Sequence, residues 1–499
     1  MRVHWREHHQ HRTSRTYVIR RFTLSLGAAL LSATLGLTAA QAQPELPELG
    51  TVATSTLSID KESQIGDFYM RMLRGQLPII NDPVMTEYLN DLGNRLVARA
   101  DNVKTPFTFF LVNSNELNAF AFFGGHVGVH TAIIDEADNE SELASVLGHE
   151  IAHVTQRHLA RAIEAQKKTA PATLAGVIGS IILAMAAPEA GIAALQSTLA
   201  LNQQAQINYT RSNEKEADRI GIKTLVSAGF DPNAVPSFFS KMAAKYRFAS
   251  KPPQMLLTHP LPESRVADAR ARAALYPYRP VPENLLFHLA KARVQVRYSK
   301  LDRDHALFLF DRQLKSGDPV VQDAARYGKA LTLLDLERPD EAEEALNALL
   351  MKDPQNLFYL DTASDILLMQ KRPEKALAML RQAHKLRPDN SVIEINLANV
   401  LLQTGKLQEA RALLEHQTNL NGDSVVAYDL LSQVYRRLGM VAERHMVQAE
   451  LLALSAAYER AIEQLQYAYR QTRDDPLQKA RIDARIKELR RSEQEMKSL

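Results

Sequence analysis

His149-Glu150-Ile151-Ala152-His153 is a stretch of the form H-E-x-x-H, in which two histidines stand four residues apart. Upstream of it, Asn139 and Glu142 stand at capping-box spacing, which predicts a helix N-terminus. Apolar residues then recur with a helical period, namely Leu143, Val146, Leu147 and Val154. The pattern predicts one amphipathic helix over roughly residues 140–160, with both histidines on the same face.

Two histidines on one helix face are typical of a catalytic zinc site. Such a site takes imidazole nitrogens at about 2 Å from the metal and a third ligand from elsewhere, and it leaves one position for water. Zinc lowers the pKa of that water towards about 7, and Glu150, which falls beside it, is expected to take the proton as general base. The motif therefore predicts hydrolysis of an amide bond.

An H-E-x-x-H motif also arises by chance in some chains of this length, so it does not decide the function alone. A second segment about sixty residues downstream, Asn213-Glu214-Lys215-Glu216-Ala217-Asp218, supplies the support it needs. Glu214 and Asp218 are four residues apart and would share a helix face. This arrangement suits one carboxylate that binds a metal and a second that orients a metal-bound histidine.

These two motifs resemble the metallopeptidase family of HtpX and the CAAX prenyl proteases, and within it the periplasmic, repeat-bearing BepA-like branch. The family pattern is H-E-x-x-H followed by E-x-x-x-D on a later helix. The resemblance implies that His149, His153 and Glu214 bind one Zn²⁺ per chain. It also implies that Glu150 is the general base and that Asp218 orients a metal-bound histidine, most simply His149.

The resemblance continues into the segment His259-Pro260-Leu261-Pro262-Glu263-Ser264-Arg265, a proline-rich loop sequence. In the family, the histidine and arginine at the positions of His259 and Arg265 are associated with the active site. Two roles for His259 stay open: it stabilises the oxyanion, or it takes the fourth metal position and keeps the enzyme latent. We favour latency. Glu216 faces elsewhere on its helix and is left out of the ligand set.

The composition, with 45% hydrophobic and 23% charged residues, is that of a globular protein. A length of 499 residues exceeds that of one ordinary domain, so we expect two domains. The net charge of +3 is close to neutral, so nucleic acid is not expected as a partner. The sequence contains no cysteine, which excludes disulfides, thiolate ligands, a cysteine nucleophile and a lipid-modified cysteine.

Residues 1–42 have the features of a signal peptide. A basic region ends in Arg20-Arg21, an apolar stretch follows, and Ala40-Gln41-Ala42 fits an A-x-A cleavage site. This predicts export to a bacterial periplasm, with an uncleaved anchor helix as the alternative. The metallopeptidase domain is expected to occupy residues 43–275.

Two stretches of that domain read as strands: Phe107 to Val112, and Asn118 to His130 with a break at Gly124-Gly125. The resemblance implies that the second is the edge of a small sheet beside the metal, where a substrate peptide adds as a further strand. A plain core hairpin is the alternative.

Residues 172–201 hold two apolar stretches separated by Pro188-Glu189. The first is too short for a membrane span, which needs about 20 residues. We expect a buried or lid-like helical hairpin near the cleft. Contact with a membrane surface or an apolar partner is the alternative.

The C-terminal part, residues 281–499, shows a period of 34 residues. Alanines recur at 342, 376 and 410, prolines at 354 and 388, and glycines at 405 and 439. This period is typical of tetratricopeptide repeats, whose stacked helix pairs form a recognition platform for helices or extended peptides. A scaffold that merely packs on the protease is the alternative.

The sequence thus predicts an α+β, mainly α protein: a zincin-like metalloprotease domain followed by an all-α tetratricopeptide domain. Its expected function is that of an exported zinc endopeptidase. The resemblance implies that it degrades misfolded or stalled envelope proteins and supports outer-membrane protein assembly. Its partners would be unfolded or misassembled outer-membrane proteins and their assembly machinery. The alternative is a chaperone or assembly adaptor whose repeats do the work while the protease stays mostly latent.

Overall fold

A computed structural model describes residues 57–167, 203–248, 254–277, 280–472 and 475–498. The predicted signal peptide, residues 1–42, and the apolar segment, residues 172–201, lie outside these ranges. The described chain is mostly helical and contains a three-stranded sheet. The prediction of an α+β, mainly α fold is therefore confirmed.

The described residues before 280 form helices around the sheet. The helices are α1 (Ile59–Gln76), α2 (Pro83–Val97), α3 (Thr131–Glu136), α4 (Glu140–Thr155), α5 (His158–Lys167), α6 (Gln203–Ser227), α7 (Ala234–Tyr246), α8 (Gln254–Thr258) and α9 (Glu263–Ala273). The strands are β1 (Thr108–Val112), β2 (Ala119–Phe122) and β3 (His126–His130).

The sheet has the order β1-β3-β2, with β3 parallel to β1 and antiparallel to β2. The stretch predicted as one broken strand is thus two strands, because Gly124 and Gly125 form a tight turn with φ of 78° and 75°. A Cβ on Gly125 would lie only 2.1 Å from the carbonyl oxygen of Pro106, so this turn requires glycine. The turn leaves β2 at an edge of the sheet, packed against α4.

Helix α4 carries the H-E-x-x-H motif. The Asn139 side chain accepts a hydrogen bond of 3.1 Å from the Glu142 amide, as the cap prediction requires. The predicted extension to residue 160 is wrong, since the helix ends at Thr155 and a new one starts at His158. Arg157 lies between them with φ of 52°, and its guanidinium donates to the Leu57 carbonyl oxygen. The kink changes the direction of the chain just after the motif.

The described residues from 280 onward form paired helices. They are α10 (Leu285–Arg297), α11 (Arg303–Gln313), α12 (Pro319–Asp335), α13 (Pro339–Lys352), α14 (Leu357–Met369), α15 (Pro373–Leu386), α16 (Ser391–Gln403), α17 (Leu407–Leu420), α18 (Val425–Leu438), α19 (Val441–Ala453), α20 (Tyr458–Gln471) and α21 (Pro476–Ser498). The repeated alanines 342, 376 and 410 occupy the fourth position of α13, α15 and α17, and each is 0% exposed. The helical repeat predicted from the 34-residue period is confirmed.

The repeats pack directly on the metallopeptidase part. One hydrophobic core contains residues of both, for example Leu92 of α2 and Phe358 of α14. Polar contacts cross the same boundary: Asn390 donates to Glu87 at 2.8 Å, and Arg293 donates to Asp82 at 2.6 Å. The repeats and the metallopeptidase part therefore share one continuous core.

Within the part of the chain that the structure describes, none of the helices is both long and apolar enough to cross a membrane.

Candidate metal centre

Helices α4 and α6 carry the two motifs and pack closely against each other. The close approach depends on a pair of glycines. A Cβ on Gly148 would lie 3.3 Å from the Gly221 carbonyl oxygen, and one on Gly221 would lie 3.1 Å from the His149 amide nitrogen. Because neither glycine carries a side chain, the H-E-x-x-H face of α4 lies directly against the segment of α6 that contains Glu214 and Asp218.

The side chains that face this contact form a group of possible metal donors, namely His149, His153, Glu214 and His259. One ligand atom from each lies within 4.8 Å of all the others. His149 and Glu214 are almost completely buried, and His259 is 6% exposed. The structure thus brings together residues from α4, from α6 and from the loop that follows α8.

The distances between these donors fit a tetrahedral ion. Ligand atoms at about 2.0–2.1 Å from such a metal lie about 3.3 Å from one another. Nε2 of His149 is 3.1 Å from Nε2 of His153 and 3.4 Å from Oε2 of Glu214. Nε2 of His153 is 3.4 Å from Oε1 of Glu214. The two imidazoles and the carboxylate therefore converge as three ligands of one metal ion would.

His259 occupies the fourth corner of this arrangement. Its Nδ1 lies 3.1 Å from Oε1 of Glu214 and 3.4 Å from Nε2 of His149. The backbone amide of His259 donates to the Met255 carbonyl oxygen at 2.8 Å, which ties the loop to the end of α8. The loop thus holds a third imidazole among the donors.

Asp218 and Arg265 form a second layer behind the donors. Oδ1 of Asp218 lies 3.0 Å from Nδ1 of His149, the ring nitrogen that faces away from the other donors. Arg265 donates two hydrogen bonds of 2.7 Å to the Asp218 carboxylate, and its Nη1 lies 2.9 Å from Oε2 of Glu214. Asp218 and Arg265 thus hold His149 and Glu214 in place.

Glu150 is fully buried, with 0% exposure. Its carboxylate oxygens have no hydrogen-bond partner among the described residues, and Oε1 lies 3.6 Å from Nε2 of His259. Burial raises the pKa of Glu150, although His259 and His149 oppose the shift. A carboxylate with a raised pKa and free oxygens suits proton transfer near neutral pH.

The electrostatics of the donors favour a bound cation. Burial alone would raise the pKa of Glu214, but His259, His149 and His153 hold it well below its usual value, so the group is a carboxylate. Burial lowers the pKa of His149, yet Asp218 and Glu214 outweigh this effect and raise it to about 10. A divalent ion at this point would supply positive charge that balances the buried carboxylates.

Two further polar side chains lie at the centre: His158, which no motif singled out, and Glu216, which was left out of the ligand set. Nδ1 of His158 lies 2.9 Å from Nδ1 of His153, and Nε2 of His158 lies 3.2 Å from Oε2 of Glu216. On an unbroken helix, a residue five positions after His153 would point to a different face. The kink at Arg157 turns His158 back, and no motif in the sequence announces that kink.

All seven residues singled out from the sequence lie in this one cluster, namely His149, Glu150, His153, Glu214, Asp218, His259 and Arg265. A metal ion held here would polarise a carbonyl group and lower the pKa of water. Glu150 is buried beside these donors, and its carboxylate oxygens have no hydrogen-bond partner among the described residues. The arrangement as a whole is suited to hydrolysis of a peptide bond.

Comparison with known proteins agrees with this chemistry. Residues 83–273 match the model of peptidase family M48, and residues 367–434 match a tetratricopeptide repeat model. A putative β-barrel assembly-enhancing protease of Vibrio cholerae is 51% identical over 89% of this chain and 92% of its own length. The β-barrel assembly-enhancing protease of Escherichia coli K12 is 47% identical over 96% of this chain and 99% of its own.

A more distant relative is the mitochondrial metalloendopeptidase OMA1 of Schizosaccharomyces pombe, which is 29% identical over 36% of this chain and 51% of its own length. The family is metal-dependent, which agrees with the cluster of metal donors in the structure. With relatives that align over nearly its full length, this chain belongs to peptidase family M48 and is a metalloendopeptidase that carries tetratricopeptide repeats.

Proposed function

We propose that this chain is a zinc endopeptidase of the bacterial periplasm that degrades misfolded or stalled envelope proteins and supports outer-membrane protein assembly. The observation that carries the proposal is the convergence of His149, His153 and Glu214 beside the buried Glu150. The substrate class is taken from relatives that are named β-barrel assembly-enhancing proteases and align over nearly the full chain.

In this proposal, His149, His153 and Glu214 hold one Zn²⁺ per chain. Two imidazole nitrogens and one carboxylate oxygen form the ligand set of many catalytic zinc sites, and they leave a position for water or substrate. Softer metals prefer thiolate ligands, and the chain contains no cysteine. Metal analysis of the purified protein tests this assignment.

Glu150 acts as general base in the proposed reaction. It accepts a proton from the attacking water and afterwards gives it to the leaving amine. Asp218 orients the His149 ring through Nδ1, and Arg265 acts on the site through Asp218 and Glu214. Because Arg265 already donates to Asp218 and to the Pro260 carbonyl oxygen, its contacts favour a positioning role over stabilisation of the oxyanion.

We assign His259 the role of a fourth ligand that keeps the enzyme latent. Support comes from its Nδ1, which lies at the same distance from Glu214 and His149 as the other donors do from one another. A ligand in the fourth position excludes water, so the loop must move before hydrolysis. This role predicts that His259→Ala raises peptidase activity and leaves zinc content unchanged. Loss of all activity with zinc still bound would overturn the assignment.

Substrate binding is expected at strand β2. Because β2 is an edge of the sheet and packs on α4, an extended peptide added to it would run beside the metal centre. Main-chain hydrogen bonds would supply affinity with little sequence preference, which suits an enzyme that acts on many unfolded proteins.

The repeat part, proposed to span residues 281–499, is the expected recognition platform for outer-membrane proteins and their assembly machinery. A cavity of the repeat part is lined by charges of both signs, among them Arg297 of α10, Asp335 of α12 and Asp365 of α14.

Residues 1–42 are proposed to be a cleaved signal peptide, so that the metallopeptidase domain starts at residue 43. N-terminal sequencing of the protein recovered from the periplasm tests the cleavage and the start at residue 43.

The alternative function is a chaperone or assembly adaptor with a mostly latent protease. Two observations favour it: the described repeat part is as large as the peptidase part, and His259 lies among the metal donors. The substitution Glu150→Gln separates the two functions in cells that lack the native chain. If proteolysis is the function, the variant fails to restore outer-membrane protein assembly. Full restoration by the variant would establish the adaptor function instead.

A further inference from the structure

The two histidines of the H-E-x-x-H motif, His149 and His153, each have a ring nitrogen that faces away from the donor cluster. For His149 this is Nδ1, which lies 3.0 Å from Asp218. For His153 it is also Nδ1, but its neighbour is Nδ1 of His158, at 2.9 Å. His158 is only 4% exposed, and its other nitrogen reaches Oε2 of Glu216 at 3.2 Å.

The protonation of the rings fixes the direction of the hydrogen bonds that run from His153 through His158 to Glu216. A histidine that binds a metal through Nε2 carries its proton on Nδ1, so His153 can only donate at Nδ1. The Nδ1 atom of His158 must then accept, which places the proton of His158 on Nε2. That proton is donated to Glu216, a carboxylate that only accepts.

Arg161 completes the chain on the outer side. Its Nη2 donates to the same Oε2 atom of Glu216 at 2.8 Å and to Oδ1 of Asn213 at 2.8 Å. Glu216 is therefore fixed by two donors, His158 and Arg161. Each hydrogen bond in the series from His153 to Glu216 thus has one donor and one acceptor. Only one tautomer of the His153 ring and one of the His158 ring allow this arrangement.

We propose that His158 and Glu216 are positioning residues of the metal centre, which hold the His153 ring with its Nε2 directed at the metal. Asp218 does the same for His149, so each histidine of the H-E-x-x-H motif has its own anchor. The kink at Arg157 is the structural device that makes the second anchor possible, because it returns His158 to the face of His153. This inference rests on the proposed metal site.

The test is the affinity of the full mature chain for Zn²⁺, measured by competition with a chromogenic chelator. His158→Ala removes the acceptor for His153 and should weaken binding about 10- to 100-fold, the usual effect of losing such a partner. His158→Asn should keep most of the wild-type affinity, because the amide oxygen of the asparagine takes the place of Nδ1 and accepts the hydrogen bond from His153. Absorption of the Co²⁺-substituted protein should change in His158→Ala and recover in His158→Asn.

Glu216 provides an independent pair of variants. The carbonyl oxygen of Glu216→Gln still accepts from His158 and Arg161, so this variant should keep affinity close to wild type. Glu216→Ala removes the acceptor, frees His158 to change tautomer and should lower the affinity. His126→Ala is the control for loss of a buried histidine, since His126 lies on β3 and contacts Asp67 instead.

Thermal unfolding of each metal-free variant shows whether it is folded. The proposal is overturned if folded His158→Ala binds zinc as tightly as wild type, or if His158→Asn and His158→Ala lose the same affinity. If His158→Ala does not fold, the zinc affinities of Glu216→Gln and Glu216→Ala are compared instead, and equal affinities overturn the proposal. Failure of the wild-type chain to bind zinc would count against the proposed metal site itself, which is a distinguishable result.

Discussion

Arg293 of α10 donates a hydrogen bond of 2.6 Å to Asp82, the residue that caps α2. The same guanidinium lies 2.8 Å from Asp361 of α14. All three side chains are buried, and Asp82 also caps α2 by accepting from the Val84 amide. One cation therefore joins a helix of the peptidase part to two helices of the repeat part.

The first prediction concerns this cation. Arg293→Met leaves Asp82 and Asp361 buried without their counter-charge, which should lower the free energy of unfolding by about 3–5 kcal/mol. Urea denaturation followed by circular dichroism measures the loss. Arg338→Met is the control, because Arg338 forms an exposed pair with Glu341 and its loss should leave the midpoint unchanged. An equal shift in both variants would show that the buried network contributes nothing special.

The second prediction concerns the contact between α4 and α6. A side chain at Gly221 would press on the His149 backbone, at 3.1 Å for the Cβ alone. Gly221→Val should therefore push the helices apart, lower stability by about 1–3 kcal/mol and weaken zinc binding. Gly317→Val is the matched control, since a Cβ at Gly317 meets nothing within 4 Å. Unchanged zinc affinity in Gly221→Val would mean that the close approach does not position the ligands.

The third prediction concerns pH and His130 on β3. Burial lowers the pKa of His130 to about 4, although its hydrogen bond to the Glu116 carbonyl oxygen opposes the shift. Between pH 4 and about 6.5, His130 is protonated in the unfolded chain but neutral in the folded chain. The free energy of unfolding therefore increases as the pH rises through this window. His130 should account for about 3 kcal/mol of that change.

His130→Asn keeps a donor for the Glu116 carbonyl oxygen and has no titrating group. Its unfolding free energy, measured in urea at pH 4 and at pH 7, should fall less on acidification than that of wild type. Parallel curves for the two proteins would contradict the assignment. Because both lose bound metal in the same way as pH falls, the difference between them reports His130.

Much of the site could be predicted from the sequence, because the chemistry is carried by short motifs on regular helices. The H-E-x-x-H spacing placed two imidazoles on one helix face, and the spacing of Glu214 and Asp218 did the same for two carboxylates. The period of 34 residues predicted the repeat helices for an equally local reason. The two motifs depend only on residues that are neighbours along one helix, and the repeat can be detected because the same residue types return at a fixed spacing on successive helices.

The rest could not be predicted, because it depends on contacts between distant segments. The kink after α4 involves the left-handed Arg157, which is tied to the Leu57 carbonyl oxygen a hundred residues away in sequence. Without that kink, His158 would not reach His153, and Glu216 had no visible role. The single predicted strand at residues 118–130 became a pair for a related reason, since the sequence does not state which way two adjacent glycines turn the chain.

The most direct test of the central claim is cleavage of an unfolded outer-membrane protein by purified residues 43–499, with wild type and Glu150→Gln compared at equal zinc content. We predict about one zinc per chain in both proteins, with cleavage by wild type and its almost complete loss in the variant, because Glu150 is the only group assigned to take the proton from water. His259→Ala is measured in the same assay, because removal of the proposed fourth ligand should give a more active enzyme whose cleavage rate is easier to measure. Equal cleavage by Glu150→Gln, in either background, would contradict the account.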